Sequence, residues 1–124
     1  DYTGIPLLAY SPLAFGHLTG KYLKNDNTQG SRLTLFPEFG VRYDKPNVQL
    51  AVIEYSKLAK ELGTSLTQLS LAFCYSRPFI SSTIIGATNI DQLNENIEAL
   101  EFKITDEIVT EIYQIYQKFT DPSP

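Results

Sequence analysis

Ile5-Pro6-Leu7-Leu8-Ala9-Tyr10, running into Ser11-Pro12-Leu13-Ala14-Phe15-Gly16-His17-Leu18-Thr19-Gly20-Lys21-Tyr22, is the most informative stretch of this chain. A short, almost unbroken apolar run is closed by Ser-Pro and followed by small and polar residues. Periodicity alone does not separate strand from helix over so short a run. Its length, together with Pro6 and Pro12, favours a buried strand ending near Tyr10. Beyond it, Ser11 supplies a hydroxyl and Pro12 stiffens the strand exit. Gly16 and Gly20 let the backbone bend toward a bound diphosphate. Lys21, and Arg32 further along, can neutralise its charge. Taken alone, the same residues also fit an ordinary turn from strand to loop.

A second segment repeats the logic: Ile84-Ile85-Gly86-Ala87-Thr88-Asn89-Ile90-Asp91-Gln92-Leu93-Asn94-Glu95-Asn96. Ser82 to Ile85 reads as another short strand, ending at Gly86. At its end Gly86 has no side chain to keep a ligand away, and Thr88 and Asn89 offer polar groups. The N–H groups of the helix that follows point back to the same place, where the helix dipole favours phosphate. Gln92, Glu95 and Asn96 stand at helical spacing and can face one ligand together. The alternative is that Asn89 is a plain N-cap and the others a solvated face. These residues alone leave both readings open.

Between the two segments, Leu23 to Pro46 shows no sustained period. Asn25-Asp26-Asn27, Gly30, Pro37, Gly40 and Pro46 mark a long loop, and loops of that length are usually functional or disordered. Its Phe36, Phe39 and Tyr43 fit equally a cover over a ligand and packing on the rim of the fold. Val48, Ala51, Val52, Tyr55, Leu58, Ala59 and Leu62 then recur at helical spacing, and Gly63 ends the pattern. Ser65-Leu66-Thr67-Gln68 reads as a capping box opening a helix that is apolar nearly all round through Tyr75. Arg77-Pro78 stops it. After Asn89 a helix is expected to bury Ile90, Leu93, Ile97 and Leu100. A last helix begins near Thr105-Asp106-Glu107, its acids suited to the positive end of the dipole, and buries Ile108, Ile112, Ile115 and Phe119.

The order is strand, loop, helices, strand, helices, an α/β pattern. Parallel strands joined through helices bury both faces, which accounts for continuous rather than alternating hydrophobicity. Two such strands leave both outer edges with unpaired N–H and C=O groups, so the architecture reads as incomplete.

The 124 residues suffice for one modest core, and 43% hydrophobic with 19% charged residues is an ordinary globular balance. Ten basic against 14 acidic residues give a net charge of −4. With no basic patch or polybasic run, neither a nucleic-acid nor an anionic-membrane surface is indicated. There is no long apolar run of membrane-spanning type and no signal-peptide pattern. The single cysteine, Cys74, excludes an intramolecular disulfide and points to a reducing, cytoplasmic setting; among Leu71, Ala72, Phe73 and Tyr75 it reads as a buried small hydrophobe. The chain contains no methionine and starts at Asp1. A start inside a larger protein and removal of a leader or tag both fit.

Ordered together, these motifs become specific. Tyr10-Ser11-Pro12-Leu13-Ala14 with Gly16, Leu18, Gly20-Lys21-Tyr22 and Ser31-Arg32 resembles the loop after the seventh strand of aldo-keto reductases. The likeness is greatest to the branch of potassium-channel β-subunits and related bacterial reductases. Leu66 to Phe73 with Ser76-Arg77-Pro78 is similar to the helix before their eighth strand. Ile84 to Thr88 with Gln92-Leu93 and Glu95-Asn96 resembles that strand and its helix.

The resemblance covers nearly the whole chain and implies a partial (β/α)8 TIM barrel, the C-terminal portion of that fold over residues 1–124. About the last two strands and their helices would be present, with a long cofactor-covering loop at about 23–46. It implies NADP(H) as cofactor. Ser11, Pro12, Leu13, Ala14, Phe15 and Gly16 would line the nicotinamide and diphosphate. Lys21 and Arg32 would sit by the cofactor. Gly86, Thr88, Gln92, Glu95 and Asn96 would hold the adenosine end and its 2′-phosphate. Many relatives place Lys, Arg or Ser where Thr88 stands, which leaves NAD(H) open. The family's reaction is hydride transfer to a small-molecule carbonyl with a Tyr as proton donor. That Tyr and its Asp, Lys and His partners belong to early strands with no counterpart here. His17 stands at a variable position of the loop motif, so the resemblance gives no catalytic residue in this chain. Two functions follow: the cofactor-binding part of an oxidoreductase, completed by an N-terminal half, or a non-catalytic regulatory or oligomerisation module. Exposed strand edges imply a homo-oligomer or pairing with the missing half.

Overall fold

The computed structural model describes residues 4–23, 28, 30–43, 45–120 and 122, with the side chain of Arg32 outside the description. Strand β1 (Leu7–Tyr10) and strand β2 (Ile80–Ile84) pair in parallel. Leu8 stands opposite Ser82, Ala9 opposite Thr83 and Tyr10 opposite Ile84, with an irregularity between Leu7 and Leu8. The connection carries a short helix α1 (Arg32–Leu35), then α2 (Pro46–Glu61) and α3 (Leu66–Tyr75). Helices α4 (Ile90–Glu98) and α5 (Asp106–Lys118) follow β2.

The main core lies among α2, α3 and α5. Val48, Val52, Leu58 and Ala59 of α2 meet Leu66 and Leu69 of α3 and Ile108 of α5. Leu18 and Leu23, from the segment after β1, pack against the same cluster, as do Ile112 and Ile115. The expected apolar faces of α2 and α5 are therefore the faces that pack. Helix α2 starts at Pro46, whose missing N–H costs nothing in a first turn. It ends in a Schellman motif: Thr64 N donates to Ala59 O at 2.9 Å and Gly63 N to Lys60 O at 3.0 Å. Gly63 sits at φ +69°, which a side chain would strain.

Four expectations need correction. The stretch from Leu23 to Pro46 is not a plain loop. Besides α1 it holds a 3-10 segment, Pro37–Tyr43; the short spacing of 3-10 turns leaves no helical period to detect over so few residues. The capping box is only half made. Ser65 Oγ accepts from Gln68 N at 3.0 Å, but the Gln68 side chain accepts from Thr64 Oγ1 at 2.9 Å and donates to Glu98 at 3.3 Å instead of returning to the cap. The strands are not buried on both faces: Leu7, Leu8, Tyr10 and Ile84 are all more than half exposed. Among the described residues no further strand or helix layer covers these side chains.

The fourth correction concerns α4. Its apolar stripe faces outward, with Ile90 66%, Ile97 52% and Leu100 64% exposed and Leu93 exposed as well. Asn96 and, just past the helix, Ala99 are buried instead. Polar bonds to α3 fix this orientation: Ser65 Oγ donates to Glu95 at 2.6 Å, and Tyr75 Oη donates to Asn96 O at 3.2 Å.

Candidate functional site

Parallel pairing sends β1 and β2 in the same direction, so their C-terminal ends, Tyr10 and Ile84, lie side by side. Both candidate segments leave the sheet at this edge. In parallel α/β folds it is the end where ligands bind.

After β1 the backbone takes a strained path. Ser11 (φ 53°), Ala14 (φ 47°) and Phe15 (φ 54°) occupy the left-handed region, as do Gly16 (φ 95°) and Gly20 (φ 75°). Each non-glycine residue there costs of order 1–2 kcal/mol. The path is held by short bonds. Ala14 N donates to Ser11 O at 2.9 Å, Gly16 N to Leu13 O at 2.8 Å and Gly20 N to His17 O at 3.0 Å. Thr19 Oγ1 donates to Gly16 O at 2.8 Å. The result is a 3-10 segment, Ala14–Thr19, broken by non-helical geometry at Phe15, Gly16 and Leu18.

Lys21 folds back over this turn. A Cβ at Gly16 would stand 2.8 Å from Lys21 Cε and 2.9 Å from Nζ, so the absence of a side chain at Gly16 is what lets the ammonium lie there. The ammonium is also 5.1 Å from the Tyr22 ring centroid. The residue is exposed. Ser11, Pro12, Leu13, Ala14, Phe15, Gly16 and Lys21 are thus gathered in one turn. Arg32 opens α1, and its side chain lies outside the described residues.

After β2 the chain passes through exposed Gly86, where an added Cβ would meet nothing within 4 Å. Asn89 caps α4, its Oδ1 accepting from Gln92 N at 2.9 Å. Gln92 turns back, its Oε1 accepting from Thr88 N at 3.0 Å and Thr88 Oγ1 at 3.1 Å. The open approach at Gly86 fits a ligand passing close to backbone. Gln92, Glu95 and Asn96 do not share one open surface: Gln92 is exposed and holds the Thr88 turn, Glu95 accepts from Ser65, and Asn96 is only 2% exposed. Asn96 Nδ2 reaches Gly86 O at 3.4 Å. Asn96 thereby supports the turn from beneath. The sequence marks Ser65 only as a cap and Tyr75 only as the end of an apolar helix, and neither pattern carries a signal of a remote partner on α4.

In the covering stretch, Phe36 and Phe39 are exposed and meet edge to face at 6.1 Å. Tyr43 is buried against Phe15 and His17, each with a ring-centroid distance of 5.4 Å. Desolvation raises the Tyr43 phenol above its ordinary value, opposed by the nearby Arg42. Burial likewise pushes the Cys74 thiol up, against the charge of Arg77, and an undissociated thiol is a poor nucleophile. Among the described residues no group of three His, Cys, Asp or Glu side chains could hold a metal ion.

The family model described as "Aldo/keto reductase family" matches residues 1–117. The chain belongs to the aldo/keto reductase family. Protein tas of Escherichia coli strain K12 is 44% identical over 124 residues, covering 100% of this chain and 36% of that protein. An aldo-keto reductase of Babesia bovis is 44% identical over 124 residues, covering 97% of the chain and 44% of that protein. A probable voltage-gated potassium channel subunit beta of Oryza sativa subsp. japonica is 39% identical over 118 residues, covering 92% and 36% respectively. The chain thus spans between a third and a half of these relatives' lengths, and its α/β architecture with two parallel strands is consistent with part of this family's barrel.

Proposed function

We propose that this chain is the C-terminal, cofactor-binding portion of an NADP(H)-dependent aldo/keto reductase, contributing the last two strands of a (β/α)8 barrel. The observation that carries the reading is the convergence of two ligand-suited turns at the carboxyl ends of adjacent parallel strands. Ser11 to Gly16 would line the nicotinamide and diphosphate, with Lys21, and Arg32 where it reaches, neutralising phosphate charge. Gly86, Thr88 and Gln92 would meet the adenosine end, with Glu95 and Asn96 holding that turn in shape. The turn from Gly86 to Gln92 carries no Lys or Arg, so NAD(H) is the competing nucleotide.

When bound, the nucleotide supplies hydride for carbonyl reduction. This chain's residues bind and orient it, and proton donation to a small-molecule carbonyl would fall to residues of an N-terminal half. The covering role of about residues 23–46, a cytoplasmic location and pairing with that half or with another copy belong to the same reading. Among the described residues no helix is long and apolar enough to cross a membrane.

A second reading has its own support. The outward apolar stripe of α4 and the exposed strands suit a binding or oligomerisation module. Titration of NADPH and NADH into the purified chain, followed by nucleotide fluorescence, tests the first reading. Saturable binding that prefers NADPH and weakens about tenfold or more in Lys21→Ala supports the cofactor reading. A folded chain that binds neither nucleotide would mean that these residues need the absent half and that the chain alone is not a functional reductase.

A further inference from the structure

His17 is the single histidine of the chain, and cofactor binding as proposed gives its imidazole no task. Its ring lies 5.1 Å from that of Tyr22 and 5.4 Å from that of Tyr43, tilted by 50° and 36°. Tyr43 is the buried residue of the 3-10 segment Pro37–Tyr43. His17 is therefore a point where the strained turn after β1 touches the covering stretch. Its Nε2 is buried and has no hydrogen-bond partner. Alongside is a cavity of about 10 Å³ lined by His17, Tyr22, Leu23, Gln49 and Val52, room for at most one water.

The groups facing the ring decide which protonation state fits. From its own turn come the Lys21 ammonium and the Tyr22 phenol; from the covering stretch comes Tyr43, with the Arg42 guanidinium 5.7 Å from that ring's centroid. From α2 come Gln49 and Val52, both uncharged. Among the described residues this set holds the Lys21 ammonium beside the ring, the Arg42 guanidinium on the far partner Tyr43, and no carboxylate. A protonated imidazole must carry an N–H at the buried Nε2, where it has no acceptor, and it adds a positive charge beside the Lys21 ammonium. Attraction of a cation to tyrosine rings is worth about 0.5–2 kcal/mol and opposes this cost only in part.

We propose that neutral His17 is a latch holding the Pro37–Tyr43 segment on the turn after β1, and that protonation of its imidazole releases the segment. Burial first, and the Lys21 ammonium second, lower the imidazole from its ordinary value of 6.5. A lowered histidine value means that the latched form refuses a proton which the released form accepts. The latch is therefore fully held above about 6.5 and is lost as pH falls through the lowered value. The proposal does not rest on nucleotide binding and fails or stands separately from it.

With a single histidine, the imidazole proton signal of the full chain is unambiguous in an NMR pH titration. The expected midpoint lies below 6.5, with the ring signals of Tyr43 shifting at the same midpoint. Tyr43→Ala should return the midpoint toward 6.5, by exposing the ring to water. His17→Phe, which keeps an aromatic ring without a titrating group, should abolish the response of Tyr43 over that range. A midpoint at or above 6.5 in the unaltered chain overturns the latch. So does a midpoint unmoved by Tyr43→Ala, or a Tyr43 response that persists in His17→Phe.

Discussion

The helical layer of α2, α3 and α5 and the surface formed by β1, β2 and α4 have similar apolar content and opposite fates. In the first, Leu69 is 2% and Ala59 1% exposed; in the second, Leu8 is 60% and Ile90 66% exposed. Residue type does not explain the contrast, because leucine and isoleucine stand on both sides. What differs is whether the chain supplies a second surface. The helical layer is self-sufficient, and the strand side carries a stripe of side chains with no counterpart among the described residues.

The largest test of this contrast lies in the core. Leu69→Ala should lower stability by about 2–5 kcal/mol, the usual cost of removing a buried leucine side chain and leaving a cavity. Denaturant unfolding followed by circular dichroism measures it. A loss below about 1 kcal/mol would mean that the layer is loosely packed and that the contrast is weaker than it looks.

Next comes the joint between the two regions. Ser65 caps α3 through Gln68 N and reaches across to Glu95 of α4 at 2.6 Å. Ser65→Ala removes both bonds and should cost about 1–2 kcal/mol, near the upper end for a cap. Ser65→Asp, which can still cap but has no proton to donate to the Glu95 carboxylate, should recover only part of the loss. If that variant restores it all, the Ser65 link to α4 contributes nothing and the joint rests on Tyr75–Asn96 and Gln68–Glu98.

The turn after β1 tests local strain against local need. Gly16→Ala places a Cβ at φ +95° and under the Lys21 side chain, and should cost about 1–2 kcal/mol. Ala14→Gly, one of the left-handed non-glycine positions, should be neutral or slightly stabilising, since relief of strain offsets the added freedom of the unfolded chain. Equal losses from both changes would show that the turn is not strained at Ala14.

Much of the layered side was legible in the sequence, because helical spacing reports burial when the partner surface lies within the same chain. Val48, Val52, Leu58 and Ile108 were readable for that reason. The same signal misled at α4, where Ile90, Leu93, Ile97 and Leu100 are spaced for burial but have nothing among the described residues to bury against. Periodicity records what a helix is shaped to meet, not whether it meets it. At the candidate site, Gly16 and Gly86 were legible as places without side chains. The left-handed Ser11, Ala14 and Phe15 were not, since such strain is imposed by surrounding bonds rather than by residue type. The roles of Ser65 and Tyr75 depend on contacts distant in sequence, which no local pattern carries.

The smallest expected effect sharpens the comparison most. Ile97→Ser, on the outward stripe of α4, should change the stability of the isolated chain by less than about 0.5 kcal/mol, because little is buried there to lose. The same change in a chain whose α4 is covered, by an N-terminal half or by a second copy, should cost several times as much and should weaken that association. Denaturant unfolding at two protein concentrations, together with light scattering, reads both quantities. A loss of more than about 1 kcal/mol that does not depend on concentration would place Ile97 in a buried contact within the single chain. That result would close the gap between the two regions, and with it the reason to read the strand side as a surface that another layer completes.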